Sequence, residues 1–441
     1  MNDITPIGIT NWRNQKQPFG IMDTDRFGHI YCIGKTGVGK STLLLNMAIS
    51  DVKRGKGICI VDPHGDLAET LLNYIPQERI HDVIYFNPGD EDFPIAFNPL
   101  HAIHPNHHHL VASGLIATFK KIWTDSWGPR LEYILRFSLL TLLEYPHATL
   151  LDIQPLLTDY DFRAKVLSFC TNPHIHAFWY NEFDKYPPAL KSEVISPILN
   201  KTGLFVSSIP LRNTLGQRIS GFRMQEVLDK GKILICNLSK GKVGEDASAI
   251  FGSILITSIQ LAALYRATIP EHERNPFYLY VDEMQSFVSI SFVDMLAEAR
   301  KFKLSLFLTH QYIEQLHEKI RSAIFGNIGT LISFRVGSTD AEYLSKEFYP
   351  NFAVSDLISL PRYSMYLKLM IDGATSMPFS AQTLPLSVSE LTLKDSIIEL
   401  SRQMYSKSRS IVEATLFKRF EEIETQKKKN TLFDDGSLSI F

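Results

Sequence analysis

Cysteine is scarce. Four residues, Cys32, Cys59, Cys170 and Cys236, are scattered through a chain of 441. Cys32, Cys59 and Cys236 sit inside apolar, strand-like runs, so they read as reduced core thiols of a cytosolic protein. A disulfide framework and a clustered zinc site are both excluded by that spacing. An excess of charge is also missing. Lys and Arg number 45 and Asp and Glu 47, for a formal net charge of −2. No global field draws such a chain to nucleic acid or to an anionic membrane, and any such contact has to come from local loops. A long apolar run is lacking as well. The longest, from about Ile250 to Tyr265, is interrupted by Ser and Gln and reads as too short to span a bilayer. No signal peptide and no internal repeat is visible. The expectation is a cytoplasmic chain with no direct membrane span, tethered to an inner membrane only through a partner.

What is present is ordinary globular composition, 45% hydrophobic and 21% charged. The length is too great for one core, so two or more units are expected, one inserted in the other. Residues 1–104 alternate strand-like and helix-like runs. His29 to Ile33, Lys56 to Asp62 and Ile84 to Phe86 read as strands. Residues 105–225 change character, with helical periodicity from Trp123 to Glu144 and from Asp161 to Phe169. Buried-strand patterns return over 226–387, at Lys232 to Leu238, Phe277 to Val281, Leu304 to Leu308, Thr330 to Phe334 and Met365 to Met370. A helix from about Asp246 to Tyr265 falls among them. Apolar strands separated by helices predict an α/β fold with a mostly parallel central sheet, interrupted by an inserted all-α domain. Residues 388–441 read as a charged helical segment with a polar tail, Gln426 to Asn430, expected to fray.

The run Gly34, Lys35, Thr36, Gly37, Val38, Gly39, Lys40, Ser41 joins the first of these strands to a helix that continues with Thr42. This is G-x-x-x-x-G-K-[ST] in strand–loop–helix context, the requirement of a phosphate-binding loop. Its glycines let backbone N–H groups turn inward at a polyphosphate, and the helix start adds its positive dipole end. Lys40 is placed to reach the outer phosphates and Ser41 to hold Mg²⁺. Tyr278 to Val281 then runs into Asp282 and Glu283. Adjacent carboxylates at the C-terminal end of a parallel strand stand where ligands bind. Asp282 is expected to complete the Mg²⁺ shell and Glu283 to act as general base toward water. Gln311 ends the next strand, after Thr309 and His310, and reads as a γ-phosphate sensor. Arg300, Lys301 and Lys303 stand at a helix end, as ordinary dipole-paired cations or as an arginine finger for a neighbouring subunit. Arg335 is a second finger candidate.

Taken together, Arg26, His29, the loop from Gly34 to Thr42, Asp62-Pro63-His64-Gly65, Val281-Asp282-Glu283 and Thr309-His310-Gln311 resemble the HerA/FtsK superfamily of DNA-pumping ATPases. Within it the chain is most similar to the coupling proteins of type IV secretion and conjugation. Trp127-Gly128-Pro129-Arg130 and Asn237 to Gly241 recur in that group, and the resemblance covers roughly residues 5–385. It implies a RecA-like core, ATP and Mg²⁺ as cofactors, Asp282 and Glu283 as the Walker B pair, and Gln311 as sensor. It makes Arg300 the better finger. It also implies a homo-hexameric ring that pumps DNA, with relaxase or secretion-channel components as partners. Coupling proteins usually carry N-terminal transmembrane helices, and none is visible here. Two alternatives stand beside that reading. One is a soluble HerA-like motor serving a nuclease in end processing or defence. The other is a nucleotide-gated scaffold without processive motion.

Other signals are read as structural first. His104 and His107 to His109 form a His-rich loop without a defined ligand geometry. Asp62 reads as a cap or hydrogen-bond partner of the phosphate-loop region rather than a metal ligand, and His64 as a turn histidine, with a role near the nucleotide as the alternative. Lys240 and Lys242 fall in a Gly-bearing loop that is either solvated or DNA-facing. Trp123, Trp127 and Trp179 read as core.

Overall fold

Short runs rich in Ile, Val, Leu and aromatics, buried on both faces, assemble the centre of the molecule. The computed structural model describes residues 3–11, 16–290, 292–388 and 393–434. Its strands are β1 (Ile4–Thr10), β2 (Pro18–Met22), β3 (Ile30–Ile33), β4 (Gly57–Asp62), β5 (Val83–Phe86) and β6 (Ile233–Asn237). They continue with β7 (Phe277–Val281), β8 (Leu304–His310), β9 (Thr330–Ser333) and β10 (Ser364–Lys368). A small hairpin of β11 (Met370–Ile371) and β12 (Ala374–Thr375) precedes β13 (Phe379–Thr383). The main sheet has the order β2-β1-β13-β10-β9-β3-β8-β7-β4-β6-β5. From β9 to β5 every neighbour is parallel. From β9 outward through β10, β13, β1 and β2 every pairing is antiparallel. The expected mostly parallel α/β sheet is therefore present, with an antiparallel extension.

By contact density the chain divides into two compact units, residues 1–87 with 223–401 and residues 88–222 with 402–441. The first unit holds the sheet. Helix α1 (Lys40–Lys53) buries Leu43, Leu44, Met47 and Ala48 in the same core as Ile30, Cys32, Ile58 and Tyr280. Helix α2 (Asp66–Leu72) follows β4. Arg26, fully buried, donates to Asp51 on α1 and to the Tyr280 hydroxyl on β7, each at 2.7 Å. Its guanidinium lies 3.9 Å from the Tyr278 ring centroid. One buried cation thus fixes α1 against the strand that leads to Asp282.

His29, just before β3, is also buried. Its Nδ1 accepts the Leu306 N–H at 3.3 Å and its Nε2 donates to the Leu296 carbonyl at 3.2 Å. The Nδ1 bond requires the neutral ring, because a protonated Nδ1 has no lone pair to accept with. Burial pushes its pKa down to about 4, helped by the Arg300 charge and opposed by the Leu296 carbonyl. An unfolded His titrates near 6.5, so the native state binds fewer protons than the unfolded state between pH 6.5 and 4. Stability is then present above that window and lost as pH falls through it, by about 3 kcal/mol for this one group. Denaturant midpoints measured from pH 7 to pH 4.5 should fall more steeply for wild type than for His29→Gln. Equal slopes would remove this assignment.

The second unit is helical. Its longer helices are His108–Ile122, Pro129–Glu144, Pro188–Ser207 and, near the C-terminus, Arg409–Asp434. The run from Trp123 to Glu144, expected as one helix, breaks at Gly128. Pro129 takes the first helical position, where its missing N–H costs nothing, and cannot continue a helix from before it. Residues 88–104 cluster with these helices, where sequence pattern grouped them with the strands. Phe97 stacks on Phe222 at 5.5 Å, and Asn98 donates to the carbonyls of Ala148 and Arg218 at 2.7 and 2.9 Å. Glu413, on the C-terminal helix, accepts from Arg212 and Asn213, both at 3.1 Å. The backbone over Gln426 to Asn430 is helical, and the chain from 435 on lies outside the described residues. Trp179 is fully buried, donates to the Thr141 hydroxyl at 2.8 Å and packs edge-on to Phe178 and Phe183. Trp123 stacks on Phe119 but is only half-buried, at the edge of the core rather than in it.

One helix among the described residues, Glu245–Thr268, is long and apolar enough by composition to cross a membrane. Sequence pattern made it too short. In the fold 72% of its apolar window is buried inside the protein, and its apolar length is accounted for as core.

Candidate functional site

The loop from Gly34 to Gly39 leaves the C-terminal end of β3 and enters α1 at Lys40. It is held from several sides. The Gly34 N–H donates to the His310 carbonyl at 3.3 Å, the Lys35 N–H to the Arg335 carbonyl at 2.9 Å, and the Tyr363 N–H to the Val38 carbonyl at 2.8 Å. Gly37 and Gly39 have φ of 74° and 126°, which side-chain-bearing residues rarely adopt. A Cβ on Gly39 would also stand 3.0 Å from Phe334 Cε1 and 3.1 Å from Tyr363 Cδ1. Lys35, Thr36, Gly37 and Ser41 are exposed, Thr42 is half-buried, and Val38, Gly39 and Lys40 are buried. Lys40 Nζ donates to the carbonyls of Gly34 and Lys35 at 2.6 and 3.0 Å. The ammonium is therefore aimed back across the mouth of its own loop.

Strand order brings the carboxylates to the same edge. β8 separates β3 from β7, and all three are parallel. Asp282 and Glu283 follow β7, and both are buried. Thr309 on β8 clips them together: its hydroxyl donates to Asp282 Oδ1 at 2.5 Å and accepts the Glu283 N–H at 3.1 Å. Glu283 takes a left-handed backbone, φ 48° and ψ 55°, which turns its side chain out of line with the strand. Its Oε1 accepts from Gln311 Nε2 at 2.6 Å and its Oε2 from Gln285 Nε2 at 2.7 Å. Gln311 Oε1 accepts in turn from the Thr36 hydroxyl at 3.2 Å. A continuous chain, Thr36–Gln311–Glu283, thus ties the loop to the second carboxylate.

Burial raises the Asp282 pKa to about 6, and the charges of Glu283 and Asp62 add to it. The Thr309 hydrogen bond and Lys40 act the other way. A buried carboxylate with so little compensation suits a hard divalent cation. With the Ser41 hydroxyl it makes an all-oxygen donor set of the kind Mg²⁺ takes.

Other expected residues fall elsewhere. Asp62 is a cap, with Oδ1 accepting the His64 N–H and Oδ2 the N–H groups of Leu67 and Ala68 in the first turn of α2. His64 is exposed beside it. The Lys240 N–H donates to the Pro63 carbonyl at 3.0 Å, so the segment after β6 docks on the Asp62 turn. Lys242 lies 3.9 Å from Glu69. No group of three or more metal-ligating side chains occurs among the described residues, and His104 serves instead as a turn cap, accepting the Asn106 N–H. Arg335 follows β9 at the loop's edge of the sheet. Arg300 does not join the site: it precedes β8, at the opposite end of the strand from Gln311, and its side chain is exposed. Two contributors had no role assigned from sequence: Thr309, named only as part of the motif that ends in Gln311, and Gln285. Their only sequence signal was position next to the expected Glu and Gln.

A glycine-bearing loop over a helix N-terminus, a lysine at the first position of that helix, and paired carboxylates two strands away define a RecA-like P-loop NTPase fold. The family model described as the type IV secretion-system coupling protein DNA-binding domain matches residues 21–349. The chain belongs to that family. No curated protein sequence matches it. Among solved structures, the bacterial conjugative coupling protein TrwBdeltaN70 is similar at 15% identity, covering 87% of this chain and 91% of that one, with a TM-score of 0.60. TrwB in complex with ADP and Mg²⁺ is likewise 15% identical over 86% and 89%, with a TM-score of 0.60. VirB4 of Thermoanaerobacter pseudethanolicus shares 13% identity over 86% and 96%, with a TM-score of 0.57.

Proposed function

We propose that the chain is a Mg²⁺-dependent ATPase that assembles as a homo-hexameric ring and uses hydrolysis to move DNA, or a protein–DNA substrate, toward a secretion channel. The observation that carries this is the hydrogen-bonded chain from Thr36 through Gln311 to Glu283. A loop that only holds nucleotide needs no such link. A motor needs the phosphate-bound state reported to the rest of the domain. Structures of the similar TrwB hold ADP with Mg²⁺ and the ATP analogue ADPNP, which supports ATP and Mg²⁺ as the ligands here.

Each residue then has a task. The loop N–H groups and Lys40 hold the phosphates and offset their charge. Ser41 and Asp282 hold Mg²⁺, which supplies further charge neutralisation when bound. Glu283 takes the proton of the attacking water, and Gln311 positions that water and senses the outer phosphate. Lys240 and Lys242 are cations suited to phosphate backbone rather than base readout. Family membership favours a relaxase or channel component as partner over a nuclease. The intact hydrolytic pair weighs against a scaffold that merely switches.

The test is turnover with and without DNA in a ring verified by mass. Wild type is expected to hydrolyse ATP faster when single- or double-stranded DNA is added, and Lys40→Ala to lose both basal and stimulated turnover. A verified ring that ignores both forms of DNA would sink the motor reading. Hydrolysis surviving in Lys40→Ala would sink the site itself.

A further inference from the structure

The sheet order places the two sides of the phosphate loop in different surroundings. On one side of β3 lies β8, then β7, with Gln311 and Glu283 at their ends. On the other side lie β9 and β10. β10 runs antiparallel to β9, so it starts at the edge where β3 and β9 finish. Tyr363, immediately before β10, therefore stands beside the loop on the flank away from Glu283.

Tyr363 is unusual in three ways. Its φ is 66°, a left-handed conformation that an aromatic residue adopts only when its surroundings impose it. Its backbone is pinned at both ends: the N–H donates to the Val38 carbonyl at 2.8 Å, and the carbonyl accepts the Thr383 N–H at 2.9 Å. The residue is nevertheless 39% exposed, while Phe334, which also packs against Gly39, is fully buried. The Arg362 guanidinium sits 4.9 Å from the ring centroid. Core packing accounts for Phe334. It does not account for an aromatic side chain held on strained backbone and turned to solvent beside the loop.

We propose that Tyr363 is the stacking platform for the base of the bound nucleotide. The inference rests on the nucleotide reading above. With the terminal phosphate directed at Gln311 and Glu283, the nucleoside end is directed away from them, toward β9 and β10. A fixed ring there offers a π-face to the base without reading its edges, and the Arg362 guanidinium over the ring backs it with a cation.

Binding of Mg²⁺-ATP and of Mg²⁺-tripolyphosphate to the full chain separates the possibilities, because only ATP carries a base. Tyr363→Ala is expected to weaken ATP binding about tenfold, the lower range for a base–aromatic stack. Tripolyphosphate binding should stay unchanged, which also shows that the loop is still folded. Tyr363→Leu, which keeps an apolar side chain but no ring, should behave like Tyr363→Ala, and Tyr363→Phe like wild type. A parallel loss of both ligands in Tyr363→Ala and Tyr363→Leu would overturn the proposal, since the ring would then only brace the loop. Unchanged ATP binding would overturn it alone, leaving the nucleotide site in place. Failure of wild type to bind either ligand would overturn the site and the proposal together.

Discussion

A Glu283→Gln chain is expected to bind ATP as wild type does and to lose turnover by about 10²–10⁴-fold, the range for a missing general base. The substitution conserves shape. Gln311 Nε2 still finds an oxygen where Glu283 Oε1 stands, so the link to Thr36 survives. On the other side the new amide N–H would meet the Gln285 amide, which now donates to Glu283 Oε2. Gln285 Oε1 is buried without a hydrogen-bond partner, so turning that amide over supplies an acceptor. Fold and binding should thus be retained while the one group able to take a proton from water is removed. A fluorescent-nucleotide titration measures the first and phosphate release the second. Turnover close to wild type would deny Glu283 the role of base. Loss of binding together with turnover would make it a structural support of the loop.

The site was legible in the sequence because its parts are short, contiguous and chemically marked. The loop, the Asp282-Glu283 pair and Gln311 each follow a run such as Tyr278 to Val281 that is apolar and buried on both faces. Such runs announce a parallel strand and the edge it points to. The antiparallel extension gave no such notice. β13, Phe-Ser-Ala-Gln-Thr, is half polar, and β1 alternates exposed and buried residues before losing its pattern. These strands are made by their partners more than by their own composition. The role of Thr309 was hidden for a different reason. A threonine in a strand is ordinary, and its tie to both carboxylates depends on β8 lying beside β7, which is a property of strand order. The unit boundary near residue 88 was blurred likewise. The segment from 88 to 104 has little periodic pattern, and its contacts with Thr214, Arg218 and Phe222 lie far along the chain.

Arg300→Ala is expected to lower turnover of the assembled protein by about 10³–10⁵-fold, the worth of an arginine finger where one acts, with ATP binding retained. The geometry makes this a prediction about two subunits. β8 has seven residues, and Arg300 precedes it while Gln311 follows it. At about 3.3 Å per residue, roughly 20 Å of strand separates them, beyond the reach of one side chain. The Arg300 side chain is exposed and makes no hydrogen bond or ion pair among the described residues. A cation so placed can serve a nucleotide only across a head-to-tail contact, in which one surface always meets a different one. Mixing two inactive variants exposes that arrangement. A site built from an Arg300→Ala subunit carries an intact Glu283, and a Glu283→Gln neighbour lends it an intact Arg300. Random mixed rings should then recover about a quarter of the active sites. Arg335 is the contrasting case, because its carbonyl already accepts the Lys35 N–H at the loop's own edge. A finger acting within one subunit would show as loss of turnover in Arg335→Ala with Arg300→Ala active. Recovery on mixing Arg300→Ala with Glu283→Gln assigns the role to Arg300, and no recovery withdraws it.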